Sequence, residues 1–141
     1  MDEQIRMEFE YVSEWFKFAL TDLLSAEHLQ SLHPQPLEII CFYCHQSAEK
    51  YLKGYLIYKG VPEPPKTHNL DTLCEMCLEY DERFQQIKKP CNVLTTYDVK
   101  LCYPNEMEIT ENDMKKAIEY SKQIHNFELF TELLNKVNTR L

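Results

Sequence analysis

A chain of 141 residues is the size of one domain and can bury a core without disulfide or metal staples. Its formal charge of −8 excludes broad, non-specific binding to DNA or to an anionic membrane, because both need a net positive face. Two glycines in the whole chain disfavour open sheets and phosphate-cradling loops, and favour long helices with short connections.

The start, MDEQIRMEFE, is charged and lacks the apolar stretch of a secretory leader, and no apolar run approaches the ~20 residues of a membrane-spanning helix. The expectation is a cytoplasmic protein whose six cysteines are reduced and mostly buried. Residues 9–32 carry Phe9, Val12, Phe16, Ala19, Leu20, Leu23, Leu24 and Ala26 at helical spacing, which predicts an amphipathic helix ended by His33-Pro34-Gln35-Pro36. A second helix, the spine, is predicted over Leu37–Gly60. Its apolar stripe runs through Ile40, Cys41, Cys44, Ala48, Tyr51, Leu52, Tyr55 and Leu56, with His45, Gln46, Glu49, Lys50 and Lys53 on the opposite, polar side. Gly60 and Pro62 mark its stop.

The stretch VPEPPK is a stiff extended connector. Thr67 or Asn69 can cap a third helix with Asp71 in its first turn and a stripe of Leu70, Leu73, Cys74, Cys77 and Leu78. Asp81 interrupts the pattern, and Phe84 to Tyr97 predict one or two shorter pieces broken near Pro90. After a turn at Tyr103-Pro104-Asn105, Thr110 to Asp113 resembles a capping box and starts a last helix through Val137. The predicted fold is all-α: a single domain, residues 1–141, as an up-and-down antiparallel four-helix bundle with a short extra helix before the last.

Several short motifs carry two readings. Cys41-Phe42-Tyr43-Cys44-His45 matches the CxxCH pattern of haem attachment, and Cys41/Cys44 with Cys74/Cys77 make two CxxC pairs; all four cysteines fall on apolar helix stripes, where they read as core instead. His45 and Glu49, one turn apart, suit acid–base or metal chemistry, or an ordinary solvated helix face. His68 follows a rigid connector beside Lys66 and begins a helix. Lys66, the amides of 67–69 and His68 can hold a phosphate, or Thr67-His68-Asn69 simply caps the helix. Motifs for a P-loop, a dinucleotide fold, HExxH or GxSxG are absent.

The run CFYCHQSAEKYLKGYLIYKG, followed by PPKTHNL, resembles the HEPN family, the "higher eukaryotes and prokaryotes nucleotide-binding" domain. The resemblance rests on His45-Gln46-Ser47-Ala48-Glu49-Lys50, Leu52-Lys53 and Lys66-Thr67-His68-Asn69-Leu70. It implies a helical bundle that often dimerises and is often partnered by a minimal nucleotidyltransferase encoded nearby, in a toxin–antitoxin-like setting. It also implies one of two activities: a metal-independent ribonuclease carrying Arg followed four to six residues later by His, or a nucleotide-binding or interacting module without that motif. Here Arg6, Arg83 and Arg140 have no histidine at that distance. The position before Tyr103-Pro104, an arginine in many related sequences, is Cys102. The expectation is therefore a non-catalytic HEPN-like module, a homodimer, binding a nucleotide or a partner nucleotidyltransferase. Lys53, Lys66, His68 and Tyr103 are the candidates for phosphate and base contacts; His45, Glu49 and Lys50 would orient them or face the partner. No catalytic residue, metal or cofactor is assigned. The rivals are a ribonuclease toxin with a degenerate site, using His68 or His45 with a lysine, and a homodimeric assembly module without ligand.

Overall fold

The computed structural model describes residues 2–98 and 108–140, and every regular element among them is helical. The α-helices are α1 (Glu3–Leu29), α2 (Leu37–Tyr58), α3 (Leu70–Leu78), α4 (Lys88–Leu94), α5 (Glu111–His125) and α6 (Glu128–Arg140), with short 3-10 turns at Glu82–Ile87 and Thr95–Tyr97. None of the described helices is long and apolar enough to cross a membrane.

α1 begins six residues before the apolar periodicity does, at Glu3, because the Asp2 side chain accepts from the Gln4 amide and caps the helix. Its buried face holds Val12, Phe16, Ala19, Leu23 and Ala26; Leu20 and Leu24, expected in the core, lie on the outside. α2 ends as the sequence predicts. Gly60 sits at φ 99°, its amide donates to the Ile57 carbonyl at 3.0 Å, and the Val61 amide donates to Leu56 at 3.1 Å, which together close the last turn. α1 and α2 run antiparallel, since the pairs Phe16/Gly54 and Ala19/Ser47 descend along one helix as they ascend the other. The crossing is close: a Cβ on Gly54 would stand 2.8 Å from the Phe16 ring and 3.0 Å from Trp15 Cβ. Ser47 Oγ donates to the Ala19 carbonyl at 2.7 Å, spending a buried hydroxyl on the neighbouring helix.

The expected division of α2 into an apolar and a solvated side does not hold. His45, Ser47, Glu49 and Lys53 are buried along with the apolar stripe. The reason is topological: α2 touches every other α-helix described, so no broad face of it reaches water. The proline connector carries the chain back along α2 before α3 begins. The contacts His45/His68 and Leu52/Cys77 ascend together, so α3 runs in the same sense as α2. α4 then returns against α3, with Glu75 facing Lys88 and Asp71 facing Asn92. The segment does break near Pro90, as expected, though not at the proline itself. Pro90 lies in the first turn of α4, where a missing N–H costs nothing, and the break falls instead at Ile87, between the 3-10 turn and α4.

The capping box at Thr110 is present: Thr110 Oγ1 accepts from the Asp113 amide at 3.1 Å, and Asp113 accepts from the Thr110 amide at 3.0 Å. The predicted single last helix is two. α5 closes at Asn126, and Phe127 turns into the core against Phe84 and Phe130, with ring centroids 5.1 and 5.2 Å apart. Phe130 then stacks on Tyr51 at 5.3 Å and 15°. Aromatic packing, with neither proline nor glycine, redirects the chain here.

Candidate functional site

The corner between connector and α3 is held by its own polar side chains. Asn69 Oδ1 accepts from the Thr72 amide at 3.1 Å, Thr67 Oγ1 accepts from the Asn69 amide at 3.0 Å, and Thr95 Oγ1 accepts from the Leu70 amide at 2.9 Å. Three amides near the helix start are thus engaged within the protein, and the capping role proposed for this segment is filled by Asn69 with Thr67. What this corner offers to solvent is the side chains of Lys66 and His68, both exposed.

His68 is anchored from beneath. Its Nδ1 donates to Glu49 Oε1 at 2.8 Å, and the ring is 55% exposed while the Glu49 carboxylate is 7% exposed. A carboxylate can only accept, so Nδ1 carries the proton, and among the described residues Nε2, on the far edge of the ring, is given no partner. The second Glu49 oxygen accepts from Lys53 Nζ at 3.1 Å. The buried carboxylate therefore has a cation on one oxygen and an imidazole on the other, which offsets the cost of its desolvation.

His45 closes the knot from the previous turn of α2. Its Nε2 donates to the His68 backbone carbonyl at 2.9 Å. In the neutral ring Nδ1 is then a bare lone pair, fully buried, 4.0 Å from Glu49 Oε1 and without a hydrogen-bond partner among the described residues. Burial pushes the basicity of His45 below that of ordinary imidazole; Glu49, the His68 carbonyl and Asp98 pull in the opposite direction more weakly.

The structure thus brings together four of the residues singled out in the sequence: His45, Glu49, Lys53 and His68. Lys53 points its charge inward onto Glu49 instead of outward. Lys50 belongs elsewhere, since it pairs with Asp22 of α1 on another side of α2. Lys66 is exposed and makes no ion pair among the described residues. Tyr103 lies outside the described residues. The hold of His45 on the His68 carbonyl and the field of Asp98 have no signature in the local sequence; the spacing of His45, Glu49 and Lys53 at successive turns was visible, and their burial was not.

The cysteines pack as small apolar groups. Cys41, Cys44, Cys74, Cys77 and Cys91 are free and buried, and burial pushes the Cys41 thiol up to about 12 and those of Cys44 and Cys77 well above the ordinary range. Cys74 Sγ donates to the Phe84 carbonyl at 3.7 Å. No set of three or more His, Cys, Asp or Glu side chains among the described residues is arranged to hold a metal ion.

These features define a class: an all-helical domain whose central helix buries a His–Glu–Lys constellation and uses it to hold a histidine of the following connector. The HEPN domain family model matches residues 12–133, and the chain belongs to the HEPN family. No curated protein matches the chain.

Proposed function

We propose that this is a non-catalytic HEPN module that binds the phosphate of a nucleotide, works as a cytoplasmic homodimer, and pairs with a minimal nucleotidyltransferase in a toxin–antitoxin-like setting. The observation that carries the ligand half is the His68 ring, seated on buried Glu49 at 2.8 Å and 55% exposed, two residues after the exposed Lys66. Such a ring is pre-oriented, so little side-chain freedom is lost when an anion arrives. The absence of an Arg–His pair at ribonuclease spacing supports the non-catalytic half. Arg83, the one arginine near the middle of the chain, is already engaged with Asp81, Glu128 and Glu132 at 3.1, 3.4 and 3.3 Å. We read the bundle itself as α1, α2, α4 and α5 in alternating directions, with α3 and α6 as additions to that frame.

A second reading has one specific observation in its favour. A histidine whose Nδ1 is held by a buried carboxylate and whose Nε2 is open is also the arrangement of a general base, so a ribonuclease using His68 is the alternative. One set of samples separates the two. Thermal shifts with ATP, GTP and AMP should rise for the wild type and fall away in Lys66→Ala and His68→Ala; ligand at 100 times its Kd adds about 2.7 kcal/mol. Incubation with a structured RNA should leave it intact. Cleavage that disappears in His68→Ala would select the enzyme instead, and a flat nucleotide panel with intact RNA would leave only the partner-binding role.

A further inference from the structure

The large apolar side chains that reach solvent are not scattered. Among the described residues nine are exposed, and all but Tyr80 fall between Ile5 and Ile39, on α1, the turn after it and the first turn of α2. They do not all share one face, since Leu20 lies across α1 from Tyr11, but an exposed apolar stripe along a helix marks an interaction surface, whereas single exposed apolar residues do not. Met7, Tyr11 and Phe18 recur along one stripe of α1, and Ile39, Tyr43 and Lys50 along one stripe of α2. Two clefts open along the seam between these stripes. One, of about 260 Å³, is lined by Tyr11, Trp15 and Phe18 with Glu14 and Lys50. The other, of about 530 Å³, lies further along α1 between Leu24 and Tyr43. The Lys50–Asp22 ion pair joins α2 to α1 at the level between them.

We propose that this outward face of the α1–α2 hairpin docks a basic amphipathic helix of a partner protein. The inference rests on the partner-binding half of the function proposed above. Two antiparallel helices leave a groove between their ridges, and a third helix seats there through apolar residues at spacings of three and four. Tyr11, Trp15 and Phe18 are the side-chain type that anchors such contacts, with Phe18 55% exposed. Charge selects the occupant. α1 carries Glu3, Glu8, Glu10, Glu14, Asp22 and Glu27 against Arg6 and Lys17 alone, and Asp22 already uses Lys50. Glu3, Glu10 and Glu14 flank the Met7–Tyr11–Phe18 stripe, whereas Glu27 lies across the helix; a second copy would bring the same acids to this face, while a helix with lysine or arginine along its rim meets complementary charge.

Trp15 is the only tryptophan of the chain, so its emission reports this face directly. The probe is a tryptophan-free Leu/Lys amphipathic peptide of about five turns, added to the full chain. The expected result is a saturable blue shift of Trp15, weakened about tenfold or more in Phe18→Glu, unchanged in His68→Ala, and absent with the matching Leu/Glu peptide. Equal binding of both peptides, or binding unaffected by Phe18→Glu, would overturn the proposal. So would a blue shift that develops with protein concentration alone alongside dimer formation in sedimentation, which would assign the face to a second copy. Peptide binding lost in His68→Ala and kept in Phe18→Glu would preserve a partner-binding module and remove this surface from it.

Discussion

His45 is a base sealed where it has little chance to act as one. Its ring is fully buried, its Nε2 is spent on the His68 carbonyl, and its Nδ1 faces Glu49 from 4.0 Å without bonding it. Charging that ring means placing a second cation in a pocket where Lys53 already neutralises the carboxylate. The folded ring is harder to protonate than the unfolded one, so the unfolded chain binds more protons wherever the two differ. Stability therefore falls as pH drops below the ordinary imidazole value of 6.5, and is regained above it. We expect the Tm of the wild type to fall between about pH 7 and pH 5 and that slope to flatten in His45→Gln, measured by thermal melts across the range. A slope unchanged by the substitution would mean that His45 charges freely, with Glu49 as counter-ion.

At the scale of elements, the α1–α2 pair depends on one missing methyl group. Gly54 in mid-helix is a poor helix former, and Gly54→Ala should gain about 1 kcal/mol on propensity alone. The close approach of Phe16 and Trp15 outweighs that gain, because a Cβ at 2.8 Å forces a buried ring to move. Overpacking of this kind costs about 1–3 kcal/mol, so a net loss of stability is expected, seen as a lower midpoint in urea. The same element marks how far sequence reasoning reached. The Gly60 stop, the Thr110–Asp113 cap and the stripe of α2 were legible, because each is written in residues a few positions apart. The division of the last helix was not, because Phe127 is turned by Phe84 and Phe130, and an aromatic cluster assembled from separate segments leaves no local mark.

At the scale of the whole molecule, the candidate site illustrates the same limit. His45, Glu49, Lys53 and His68 could be named from spacing and type. That the first three lie inside the protein follows from five helices closing around α2, which no window along the chain reports. The surface told a similar story in reverse: Leu20 and Leu24 looked like core and turned out to face solvent, since α1 is covered on one side only. The connector after Gly60 ties these scales together. It starts beyond Tyr58 and delivers His68 to the level of His45, thirteen residues back along α2, which is about 20 Å of helix. The ten residues Lys59–His68 reach at most about 33–36 Å, so roughly two-fifths of their length is spare for the bends at either end. Removing Pro62, Glu63, Pro64 and Pro65 would leave about 20 Å of reach. It is expected to unseat His68 from Glu49, read from the imidazole proton shifts of His68, whereas an insertion of similar size should leave them unchanged. The strap behind the site is thus a measured tether with uneven tolerance: it can be let out freely, and it can be taken in only until its few spare residues are used.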